Sequence, residues 1–278
     1  MQDSSALPDL RILPTRSLLP HEVSDPRRVE KLSRRILEGG ILKNPPIVAA
    51  IPGTAQFVVL DGANRTAAFA HVGINHIITQ VVSYDDPGVV LDTWYHVVSG
   101  MALPFFEQAL EDVEGFHLEP CDLEDARQAL AAGEIAAYIV CADGVRKVVA
   151  TDGIDLHPMR LLNDIANTYK GQADIYRASN DIWEIQKPYY PDITALVVYP
   201  SLHSEDIMAA ALGEYKIPSG ITRHVIPARA LNINFPIGVL MSGWSLERKR
   251  AWFDDWLMER MAANAIRFYA ESTFTYNE

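Results

Sequence analysis

Phe57-Val58-Val59-Leu60-Asp61-Gly62-Ala63-Asn64-Arg65-Thr66 carries the chain from an apolar run into small residues that continue to Val72 and stop at Gly73. The four apolar residues suit a short buried strand, Asp61-Gly62 suits a tight turn, and the small residues suit a helix. A strand, a glycine turn and a helix start leave backbone N–H groups pointing outward, which makes a natural anion site. Asp61 is then a candidate metal ligand, and Arg65 is well placed for a phosphate oxygen. By itself the pattern favours an ordinary capped turn over a catalytic site, since Asp-Gly turns and capping residues are common.

The flanking chain extends the pattern. Upstream, Asp25-Pro26 marks a helix start, with Asp as N-cap and Pro at the first helical position. Val29, Leu32 and Ile36 recur at helical spacing, and Gly39-Gly40 supplies the stop. The outward face holds Arg27, Arg28, Lys31, Arg34 and Arg35 against Glu30, which reads as a solvated face or as one that meets an anion. Leu19-Pro20-His21-Glu22 stands just before it, and Glu22 is a candidate general base. Strands are expected at 45–50, 57–60 and 77–82, with one more over 89–98.

Beyond residue 100 the pattern is mixed. Helices are expected over 104–113, 123–132 and 157–169, and strands at 136–141 and 145–150 flank a hairpin turn at Asp143-Gly144. A strand at 195–199 precedes a helix capped by Ser204-Glu205-Asp206 and ended by Gly213. Ser245 opens a long C-terminal helix, whose Trp252, Trp256 and Met261 stripe suits core or homodimer packing. The expected fold is mixed α/β, with a first lobe over 1–100 and a second α/β lobe with the C-terminal helix over 101–278.

The chain has 278 residues, 49% hydrophobic and 22% charged, which excludes wholesale disorder and a disulfide miniprotein. Its 36 acidic residues outweigh 24 basic ones for a net charge of −12, so DNA is not an expected partner. Two cysteines suit a reducing cytoplasm, the N-terminus lacks the apolar core of a signal peptide, and no apolar run approaches the ~20 residues of a membrane helix.

Pro20-His21-Glu22, Asp25-Pro26-Arg27, Gly40-Ile41-Leu42, Asn44-Pro45-Pro46-Ile47-Val48 and Asp61-Gly62-Ala63-Asn64-Arg65 occur in that order. This series resembles the ParB/sulfiredoxin fold over roughly residues 10–85. Sulfiredoxins need a cysteine where Ala63 stands, and a thiolate has no substitute in that chemistry. Partition ParB proteins use Gly-Glu-Arg-Arg at the turn, where this chain has Gly62-Ala63-Asn64-Arg65. The chain is most similar to the free L-serine kinase branch, whose turn reads Asp-Gly-His-His-Arg. Asp61, Gly62 and Arg65 match it, while Ala63 and Asn64 replace the two histidines.

That resemblance implies phosphorylation of free L-serine, or a similar hydroxylated amino acid, to O-phosphoserine with ATP or ADP and Mg²⁺. It implies Glu22 as catalytic base, Asp61 as a catalytic residue and metal ligand, and Gly62, Ala63, Asn64 and Arg65 on the nucleotide. It further implies His21, Trp94, Thr222, Arg223 and His224 on the amino acid. The competing expectation is a non-enzymatic ParB-like regulator that binds a nucleotide or DNA through the basic helix.

Overall fold

Capping chemistry sets the first helix. Asp25 accepts from the backbone N–H of Arg27 at 2.9 Å, Pro26 occupies the first turn, and Gly40 ends the helix Pro26–Gly39 in a left-handed conformation at φ +62°. Ile36 and Ser33 are buried with Val29 and Leu32 partly so, and the five basic residues face outward as expected. These features belong to a computed structural model that describes residues 7–151 and 157–269. The first six residues, on which the signal-peptide expectation partly rests, lie outside it.

The chain divides into two compact units interleaved in sequence. One holds the described residues to Pro20, Ser24–Val90 and the described residues from Val225 onward; the other holds His21–Val23 and Leu91–His224. The expected second lobe at 101–278 grouped the C-terminal helix with the middle of the chain. Contacts place that helix in the first unit.

In the first unit a five-stranded mixed sheet runs in the order Leu10–Pro14, His76–Val82, Ile47–Ala50, Phe57–Asp61, Leu18–Pro20. The first pair is antiparallel, and the last is parallel. Leu10–Pro14 and Leu18–Pro20 escaped the sequence reading, being short and each ended by a proline. Ile77 and Ile78 are both fully buried, so the strand His76–Val82 is covered on both faces. Over the sheet pack Phe69, Phe235, Leu240 and Phe253. The C-terminal helix Leu246–Ala262 starts with Ser245 accepting from Arg248 N–H, as expected. Its Trp252 and Trp256 rings meet Phe235 edge-on at 5.5 and 5.2 Å, so the aromatic stripe serves this unit's own core.

The second unit has a six-stranded antiparallel sheet in the order Asp174–Ala178, Tyr95–Ser99, Ile193–Val198, Ala137–Cys141, Gly144–Ala150, Phe116–Cys121. The hairpin at Asp143-Gly144 is where the sequence put it, pairing Cys141 with Gly144. The expected single strand over 89–98 is broken at Trp94 into Val90–Thr93 and Tyr95–Ser99, because Val90–Thr93 pairs instead with Thr222–Val225. The helix Ser204–Leu212 has His203 as its N-cap, one residue before the expected cap, with His203 N–H donating to Asp206 at 2.8 Å.

Two clusters of buried polar groups are internally hydrogen-bonded here. Asp181 accepts two 2.8 Å bonds from Arg127 and a 2.6 Å bond from the Tyr138 hydroxyl. On the Tyr95–Ser99 strand, His96 is buried with Nδ1 2.8 Å from the Tyr169 hydroxyl, which itself lies 2.5 Å from the Tyr199 hydroxyl. Burial pushes the His96 imidazole down to about 4, with Arg177 acting in the same direction.

An unfolded histidine titrates near ~6.5, so between there and the folded value the unfolded chain binds a proton that the folded chain refuses. Stability from neutral His96 is therefore complete above that interval and is lost as pH falls through it, by roughly 3 kcal/mol. Urea unfolding across this interval should show a shallower acid-side decline in His96→Gln than in wild type. Parallel declines would contradict the assignment.

Candidate functional site

The second unit holds every residue of the expected amino-acid side. The segment His21–Val23 is held by main-chain bonds: Ile217 N–H donates to the His21 carbonyl at 2.8 Å, and Val23 N–H donates to the Ile217 carbonyl at 3.1 Å. This places Glu22 beside the 220–222 backbone. Its Oε2 accepts from Gly220 N–H at 3.1 Å, while Oε1 accepts from Thr222 N–H at 3.3 Å and from the Thr222 hydroxyl. Three donors on one carboxylate fix its orientation.

His21 is buried, with Nε2 3.0 Å from Thr222 Oγ1. The Thr222 proton is directed at Glu22, so the hydroxyl oxygen is left to accept, which assigns the donating nitrogen of His21 as Nε2. The His21 and His224 rings meet edge-on at 5.5 Å. The Arg223 guanidinium lies 4.2 Å over the Trp94 ring, and its Nη1 is 3.3 Å from Asp92. Glu22, His21, Trp94, Thr222, Arg223 and His224 thus fall in one unit. Gly220 and Asp92 joined them without any signal beyond a Ser-Gly turn and a strand acid.

The first unit carries Asp61, Gly62, Ala63, Asn64 and Arg65. Gly62 is the N-cap of the helix Ala63–His71 at φ +89°, and no side chain caps that helix start. The N–H groups of its first turn are therefore not taken up by a capping side chain, as an anion site requires. The Arg65 guanidinium folds over this turn: a Cβ on Gly62 would stand 2.9 Å from Arg65 Nη1 and 3.2 Å from Pro46 Cα. Asn64 Oδ1 accepts from Asp25 N–H at 3.1 Å, so this residue ties the two helix starts together.

Asp61 forms an ion pair with Arg229, both about two-fifths exposed. Arg229 is a partner that no sequence signal pointed to. Gln80 fixes the segment carrying it by accepting from Ala230 N–H at 2.8 Å and donating to the Ala228 carbonyl at 3.2 Å. Among the described residues no group of three or more His, Cys, Asp or Glu side chains is disposed to hold a metal ion. No helix among them is long and apolar enough to cross a membrane.

An ATP-dependent L-serine kinase of Staphylothermus marinus is 32% identical to the chain over 236 residues, 80% of this chain and 88% of that protein. The chain belongs to this L-serine kinase family. SbnI of Staphylococcus aureus, also an ATP-dependent L-serine kinase, is 22% identical over 265 residues, 95% of this chain and 96% of that protein. Among solved structures, a free serine kinase in complex with AMP shares the fold with a TM-score of 0.71 at 18% identity, covering 84% of this chain and 95% of that one. No protein-family model matches. The mixed α/β expectation agrees with this family's fold.

The Gly62 geometry makes a local prediction. Gly62→Ala places a Cβ against the Pro46 backbone at a positive φ, so it should destabilise the chain by roughly 1–3 kcal/mol in chemical denaturation. An unchanged unfolding free energy would contradict this reading of the turn.

Proposed function

We propose that the protein phosphorylates the hydroxyl group of free L-serine, with ATP as donor, to give O-phosphoserine. The observation that carries the reading is Glu22, whose carboxylate is held by Thr222 and Gly220 within the unit that also presents Arg223 over Trp94. Membership in the serine kinase family supplies the reaction class.

Phosphoryl transfer requires positioning and charge neutralisation more than covalent help. Glu22 takes the proton of the serine hydroxyl. Its Oε1 receives two donors from Thr222 and Oε2 one from Gly220, so the remaining acceptor capacity lies on Oε2. His21 fixes Thr222 from behind rather than touching the amino acid. Arg223 takes the serine carboxylate, exchanging an Asp92 contact that is partly exposed and therefore weak. Trp94 keeps the guanidinium flat, and His224 borders the same residues.

In the first unit the N–H groups after Gly62, together with Arg65, take nucleotide phosphate oxygens. Ala63 contributes its backbone only, and Asn64 keeps the turn in register with Asp25. Asp61, released from Arg229, would hold Mg²⁺ together with phosphate oxygens, the kind of donor set that ion takes. The ion neutralises phosphate charge when bound. Arg229, freed in that exchange, would be available as a further cation for the phosphates.

Mass spectrometry of wild type with L-serine, MgATP or MgADP should show O-phosphoserine, with ATP preferred. Glu22→Gln should lower turnover ~10²–10⁴-fold at nearly unchanged nucleotide affinity. Arg65→Ala should weaken nucleotide binding by about 1.5–3 kcal/mol in calorimetry. Absence of phosphoserine from wild type with either donor would contradict the kinase reading, and full activity in Glu22→Gln would remove its base.

A further inference from the structure

We propose that the first unit carries a second oxyanion site, distinct from the Gly62 turn, where Lys249 and His76 bind the phosphate or carboxylate group of a small ligand. The proposal does not depend on the kinase reading.

Lys249 belongs to the C-terminal helix and is only 2% exposed. A buried ammonium is normally paired with a carboxylate, because a lone charge leaves water at a high cost. Among the described residues Lys249 has no such partner. Its Nζ donates to the Leu240 carbonyl at 2.7 Å and to His76 Nδ1 at 3.1 Å. An ammonium has three N–H donors, so one is left over. It also never accepts, so His76 Nδ1 is the acceptor and the ring proton stands on Nε2. Burial pushes the Lys249 ammonium below its ordinary value, and no carboxylate among the described residues opposes that.

The spare donors border two cavities. One of about 240 Å³ is lined by Lys249, His76 and Asn75, and a second of about 530 Å³ by His76, Asn75 and Arg16. Gly73, Ile74, Asn75 and His76 line both, and all these residues belong to the first unit. The helix Ala63–His71 ends at the first cavity, nine residues or ~14 Å along its axis from the Gly62 turn.

Acceptors around the cavities are already used. The Ala68, Phe69 and Ala70 carbonyls at the end of that helix accept from the N–H groups of Val72, Ile74 and Gly73. The Ile74 carbonyl accepts from the Thr15 hydroxyl at 2.7 Å, and the Asn75 carbonyl from Thr15 N–H at 2.8 Å. What remains is the third Lys249 N–H, the His76 Nε2–H and the exposed Arg16 guanidinium. The local charge is positive as well. Burial holds the His76 imidazole below its usual range, and Lys249, Arg250 and Arg16 act in the same direction against the exposed Glu247. An oxyanion at His76 and Lys249 supplies the missing counter-charge and takes the spare donors.

The test follows the His76 ring resonances of the full chain by NMR while inorganic phosphate or acetate is added, against sodium chloride at matched ionic strength. Arg65→Ala is titrated alongside wild type, which separates anion binding at the Gly62 turn from the response at His76. Saturable shifts of the His76 signals are expected in both proteins and not with chloride. Lys249→Met keeps a long apolar stem and should weaken that binding more than ~10-fold. If Lys249→Met fails to fold, Arg16→Ala carries the test, because an exposed side chain can be removed without disturbing the core; it should weaken binding ~2–5-fold. Saturation by phosphate alone assigns a phosphate ester as the ligand group, by acetate alone a carboxylate, and by both a site for either oxyanion. No saturable shift with either anion overturns the proposal. So does wild-type affinity in folded Lys249→Met, or in Arg16→Ala where Lys249→Met does not fold.

Discussion

The contact between Glu22 and the 220–222 backbone joins residues about two hundred positions apart in sequence. Closing a loop of that length carries a large entropic cost, and a single exposed ion pair would not offset it. The cost is met by several bonds formed together: the main-chain pairs of His21 and Val23 with Ile217, and the side-chain bonds to Glu22 and His21. The result is that three residues between two stretches of the first unit belong to the second. Everything proposed for the amino-acid side depends on that closure, because it puts the carboxylate beside Thr222, Arg223 and Trp94.

Local chemistry was legible in the sequence wherever it was decided locally. Asp25-Pro26 with Gly40, Ser245, the Asp143-Gly144 hairpin and the Asp61-Gly62 turn each act within a few residues, and each stands where its chemistry placed it. Features decided by distant partners were not legible. The break at Trp94 exists because Trp94 N–H is drawn to the Ile221 carbonyl, and nothing in Asp92-Thr93-Trp94-Tyr95 signals it. The C-terminal helix joined the first unit because its tryptophans find Phe235, a pairing that periodicity cannot assign.

The site residues show the same division. Asp61, Gly62 and Arg65 could be singled out from a strand, a turn and a helix start. Arg229 and Gln80 could not, since one is an arginine in an irregular segment and the other a buried glutamine in a strand. Asn64 has a structural use that its place in the turn did not signal: its Oδ1 takes the Asp25 N–H and so ties the two helix starts together. In the proposed reading, phosphate binding at this turn would rest on backbone N–H groups and Arg65.

The central claim is that the carboxylate held by Thr222 and Gly220 accepts a proton as phosphate is transferred to serine. Rapid-quench measurement of a single turnover isolates that step from binding and product release. With both substrates saturating, the account predicts that Glu22→Gln slows phosphoserine formation within the first turnover by ~10²–10⁴-fold. Equal single-turnover rates in wild type and Glu22→Gln would contradict it.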